Sequence, residues 1–172
     1  MVRTVQNGPD TSTFKHGNTQ LDLGNGQFLD AGVENVLSFT REEFDTVVPN
    51  TWFKFGELVM LNGTTFYDSE ATGVTLSVNL NLTQPAISVV THIDLALIST
   101  ENTSDRVASA DIVQLKNPTT DVTVTIDGVN YTLELAWATL DPGAGVVQGN
   151  QFLIFEGASA TAELRARFKS NR

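Results

Sequence analysis

The chain has 172 residues, 41% of them hydrophobic, and a formal net charge of −10, enough for one domain whose core needs no covalent staples. A mean hydropathy of −0.04 and a sequence pI near 4.4 exclude a disordered chain and a nucleic-acid partner, because nothing here would neutralise phosphates. Without cysteine there are no disulfides, zinc–thiolate sites or thiol chemistry, and no run approaches the ~18 apolar residues of a membrane span.

The opening segment, MVRTVQNGPDTST (1–13), lacks the apolar stretch of a signal peptide. Its sizeable apolar groups are Met1, Val2 and Val5, too few to bury it against its own domain. It reads as a tail set apart from a sandwich over 14–172, ordered by docking or by adding a strand to a neighbour's sheet edge through Val2 and Val5. Asn7-Gly8-Pro9 would interrupt such a ladder. The glycine-rich GNGQFLDAG (24–32) lacks the third glycine of a dinucleotide loop and precedes no helix, so it reads as a turn. REEFD (41–45), after Thr40 as a cap, is the one short helical candidate.

In WFKFGELVML (52–61), Gly56 breaks the alternation of Phe53 and Phe55 with Leu58 and Met60, which predicts a bulge. Asn62-Gly63 follows as a turn signal. Residues 74–82, VTLSVNLNL, alternate without error between Val74, Leu76, Val78, Leu80, Leu82 and four polar residues. A period of two places the aliphatics on one face of a half-buried antiparallel strand. After Pro85, Ile87 to Leu97 keeps the same phase, with Ser88, His92 and Asp94 on the wet face.

DVTVTIDGVNYTLELAW (121–137) carries the clearest local signal, since Asp-Gly is the type I′ dipeptide of a two-residue hairpin. That turn sets Ile126 against Val129, Val124 against Tyr131 and Val122 against Leu133. Phe152 to Phe155 reads as a short strand closed by Gly157. Ala160, Ala162, Leu164, Ala166 and Phe168 alternate with polar residues. Their composition favours a helix, but on a helix the apolar set would wrap all round, so the segment is predicted as a strand. Strands at these intervals, punctuated by Gly, Asn and Pro, predict an all-β, jelly-roll-like antiparallel sandwich with at most one short helix.

The order of FKHG (14–17), NVLSFT (35–40), WFKFGELVMLNGTT (52–65), ISTENTSDRVASADIV (98–113), IDGVNYTLELAW (126–137) and LIFEG (153–157) resembles the choice-of-anchor K domain of bacterial surface and secreted proteins. The resemblance spans about 150 residues and lies in order and spacing, not in any one piece. It implies an extracellular or cell-surface sandwich and names no catalytic residues. It also implies a C-terminal anchor, whereas this chain ends at Asn171-Arg172, so the expectation is retention at a surface through self-assembly or a partner, or no retention at all.

Catalytic chemistry has little to work with. His16 and His92 are the two histidines, no G-x-S-x-G elbow occurs, and no spacing pairs two acids for glycoside cleavage. Asn102, Asp105 and Asp111 in a loop region form the candidate calcium set, hard oxygen donors without an EF-hand pattern. Four N-x-S/T tripeptides, at Asn62, Asn81, Asn102 and Asn130, are glycosylation candidates predicted on turns, loops or outward faces. Trp52 and Tyr67, then Tyr131 and Trp137, are the aromatic candidates for ligand stacking, against the plainer reading that they are core. The expectation is a non-enzymatic extracellular structural protein that forms a homo-oligomer or helical filament, glycosylated and without a cofactor. The alternative is a module for carbohydrate or another ligand, with calcium as the candidate ion.

Overall fold

Asp127 and Gly128 take φ angles of 50° and 76°, the left-handed pair that a type I′ turn demands. Strand pairing runs from Val129↔Ile126 to Thr132↔Thr123 as the turn requires, then shifts, so that Glu134 faces Thr119. Val122 and Leu133 are both buried, but the predicted direct pairing of these two is lost to that bulge.

The structure, a computed structural model, describes residues 11–44 and 46–172. In chain order the described strands are β1 (Thr11–His16), β2 (Gln20–Asp22), β3 (Phe28–Asp30), β4 (Asn35–Arg41), β5 (Phe53–Leu61), β6 (Gly73–Thr83), β7 (Ala86–Ile98), β8 (Asp111–Leu115), β9 (Thr119–Ile126), β10 (Val129–Thr139), β11 (Gly145–Gln148), β12 (Gln151–Ile154) and β13 (Ser159–Ser170). They form a six-stranded sheet ordered β1-β4-β5-β13-β10-β9, a five-stranded sheet ordered β11-β12-β8-β7-β6, and a separate β2-β3 ribbon. The pairings are antiparallel. The chain passes between the two large sheets after β5, β8, β10 and β12, and the apolar faces close on one another as a sandwich.

β13 lies in the middle of the larger sheet, between β5 and β10. Ala160, Ala162, Leu164, Ala166 and Phe168 are each 0% exposed, so alternation overrides helix propensity because one face of the strand meets the core. The bulge lies where Gly56 places it: Leu164 faces Gly56 and Arg165 faces Lys54, leaving Phe55 as the extra residue. A Cβ on Gly56 would stand 2.3 Å from the Phe39 ring, so the ring rests directly on the glycine.

Three expectations are corrected. Asn62-Gly63 is no hairpin turn: neither residue has positive φ, and the chain leaves β5 there to cross to the other sheet. Gly63 serves close approach instead, since a Cβ would meet the Val33 carbonyl at 2.2 Å. The segment 41–45 forms no helix among the described residues; Arg41 ends β4, and Glu42 donates its N–H to the Phe55 carbonyl at 3.1 Å. Residues 11–13 belong to β1 and pair with β4, so the described sandwich begins at Thr11, while Val2 and Val5 lie outside the described residues.

Candidate functional site

Where β5, β7 and β12 end and β8 begins, the two loops after β5 and β7 flank a cleft of about 440 Å³. Asp68, Glu70, Glu101, Asp111 and Glu156 all line it. Asp111 is 6% exposed, and its Oδ1 accepts a hydrogen bond from the Thr100 N–H at 3.0 Å. Burial pushes this carboxyl up to about 6; the charges of Glu156 and Glu70 act in the same direction, against hydrogen bonds from Thr100 and Ser99. The Thr65 hydroxyl donates to Glu70. Behind them, His16 Nδ1 accepts from the Ala71 N–H at 3.3 Å. Burial lowers the His16 pKa, partly offset by the charge of Glu70. The imidazole is therefore the neutral tautomer that ties β1 to the loop. Such a cleft attracts cations and hydroxyl-bearing ligands and repels anions.

The predicted calcium set is split by the fold. Asn102 and Asp111 line the cleft and Asp105 does not. The Asp105 carboxylate is spent on its own turn, accepting from the Val107 and Ala108 N–H groups at 2.9 and 3.0 Å. Among the described residues no three acidic or imidazole side chains converge as a metal-holding group. Asn62 is corrected as a glycosylation candidate. It is 1% exposed and its amide donates to the Ile154 carbonyl at 3.0 Å, which leaves no room for a sugar. Asn102 and Asn130 are exposed, and Asn81 is half-buried, accepting from the Ser88 hydroxyl at 2.6 Å.

Tyr67 is 91% exposed and stands at the cleft. Trp52 precedes the start of β5, so a nine-residue strand, about 30 Å long, lies between it and the Tyr67 loop. Its ring is covered by the Arg167 guanidinium at 4.5 Å. The two form no common stacking platform. Trp137 is buried and Tyr131 packs against the core. Asp68, Glu70, Glu101 and Glu156 were missed as cleft residues because three separate segments bring them together. The one local signal was a carboxylate just beyond a strand end.

A second feature is the flank where β1 and β6, each the last described strand of its sheet, lie across from one another. Among the described residues the sheets do not close there. An apolar groove of about 210 Å³ runs between Phe14, Leu37, Phe39 and Leu58 on one side and Val74, Leu76 and Leu95 on the other. The adjoining edge, β6, carries no charge or proline, and its pairing with β7 is unbroken from Gly73↔Ala96 to Thr83↔Ala86. Among the described residues it has no charge, proline or bulge of the kind by which sheet edges avoid pairing. No protein-family model matches the chain, and no curated protein matches it.

Proposed function

We propose that the chain is a non-enzymatic structural subunit of an extracellular, surface-associated assembly, whose copies join by adding strands to one another's sheet edges. The open flank between β1 and β6 carries this reading: Phe14, Val74 and Leu76 stand half-buried over the buried Leu37, Phe39, Leu58 and Leu95, between two strands that pair on one side alone among the described residues. An added strand satisfies both needs at once. The resemblance to the choice-of-anchor K domain supports the extracellular placement, with Asn102 and Asn130 as the exposed acceptors for glycans. Negative-stain microscopy of protein from its native source tests the reading. Filaments with a subunit-sized repeat are expected, and monodisperse particles near 18.6 kDa would overturn it. Deleting residues 1–10 then asks whether Val2 and Val5 make the connection.

The acidic cleft favours a second reading, a carbohydrate- or ligand-binding module with calcium as its ion. Asn102, Asp111 and the exposed Tyr67 supply oxygen donors and one stacking ring. On that reading millimolar calcium raises the melting temperature of the wild type and leaves Asp111→Asn unmoved. An equal response in both proteins rules the cleft out as the calcium site.

A further inference from the structure

The β2-β3 ribbon carries a leucine face with nothing beneath it among the described residues. Leu21 pairs with Leu29 across the ribbon, and Leu23 donates its N–H to the Gln27 carbonyl at 3.0 Å. The period of two puts Leu21, Leu23 and Leu29 on one face, with Gln20, Asp22 and Asp30 on the other, where Phe28, paired with Asp22 and 61% exposed, is the one apolar residue. The three leucines are 47%, 51% and 51% exposed. Among the described residues β2 and β3 contact chiefly each other, and a lone two-stranded ribbon is marginal in water. An alternating apolar face of this kind is what a strand shows to a core, and the described part of its own sandwich does not supply one.

The same molecule carries the complementary surface. The groove between β1 and β6 has no charged residue in its lining, so in a chain of net charge −10 it is a place where an acidic ribbon meets no like charge. We propose that the β2-β3 ribbon of one copy seats its leucine face in the β1/β6 groove of the next. This rests on the self-assembly reading above and names its contact. The occupant is an arm of a second copy, matched to the groove in chemistry. The contact is heterologous, with ribbon and groove on different parts of the surface, so each added copy leaves a free ribbon at one end and a free groove at the other. Head-to-tail contacts of this type propagate into filaments unless the rotation closes a ring.

The test uses the full chain and two variants. Leu21→Asp with Leu29→Asp charges the ribbon face at exposed positions, and Val74→Asp puts the same charge on the groove wall. Circular dichroism and melting temperature verify that both remain folded. Each variant alone is expected to be monomeric by light scattering, with the concentration for assembly raised at least about tenfold by burying an unpaired charge. Mixed together, the two should form a one-to-one dimer and stop, because only one intact ribbon and one intact groove remain. Since the chain has no cysteine, Gln27→Cys mixed with Ser12→Cys, on the groove rim, should cross-link without background. A ribbon variant that assembles like the wild type overturns the contact while leaving self-assembly standing, and loss of assembly only on deleting residues 1–10 assigns it to the N-terminal segment. A monomeric wild type overturns both proposals.

Discussion

Asp111 shows how one buried side chain converts position into pH dependence. Its carboxyl has a pKa of about 6 in the folded chain against an ordinary 3.8, so between these values the folded state holds a proton that the unfolded state has lost. Stability from this group is therefore complete below pH 4 and is lost as pH rises through 6. His16 acts in the opposite sense: its lowered pKa makes stability fall as pH drops below 6.5. Asp111→Asn keeps the acceptor for Thr100 and removes the charge. It is expected to match the wild type near pH 4 and to exceed it by on the order of 2 kcal/mol at pH 7, read as chemical denaturation across pH. A constant difference at every pH would contradict this account. Nothing in the local sequence around Asp111 distinguishes it from Asp105, because the difference is burial between Thr100 and Glu156, and those neighbours come from other parts of the chain.

At the scale of elements, local chemistry was legible wherever one strand's own pattern decided the outcome. The Asp127-Gly128 hairpin and the alternation of β6, β7 and β13 needed only turn geometry and a period of two. Asn62-Gly63 misled because the same dipeptide serves a different purpose when Asn35 Oδ1 accepts the Gly63 N–H at 2.7 Å and the Val33 backbone lies against the glycine. Residues 24–32 read as a turn, which holds for 24–27 between β2 and β3 but not for Phe28–Asp30, which is β3 itself, because strands of three residues are too short to announce themselves by period. The Gly56 bulge was visible as a break in phase, whereas its partner was not. Gly56→Ala is expected to cost about 1–3 kcal/mol by overpacking against Phe39, measured from urea midpoints. The cost should shrink in a Phe39→Leu background, since a smaller side chain vacates the space. An unchanged cost would place the strain in the backbone at the Thr40 carbonyl, 2.7 Å from the added carbon.

For the whole molecule, the net charge of −10 opposes association of like copies, while the groove and the leucine face of the ribbon are locally uncharged. Screening therefore weakens the repulsion without touching the contact. Sedimentation velocity is expected to show assembly strengthening as sodium chloride rises from about 50 to 500 mM, a range over which the Debye length falls severalfold. Weakening over that range would mean that ion pairs hold the copies together, and would shift attention to the acidic cleft as the contact.

The sequence by itself determined the all-β class, the in-out assignment of the long strands and one hairpin register, because these depend on residues two apart or on the two residues of a turn. Tertiary structure decided what the strands surround. It drew Glu70, Asp111 and Glu156 into one cleft, split Asp105 from Asn102, buried Asn62, and among the described residues left the flank between β1 and β6 open and the leucines of the ribbon half-exposed. These outcomes follow from how two sheets cross and where they fail to close, a property of contacts between segments far apart in the chain, to which no local pattern is sensitive.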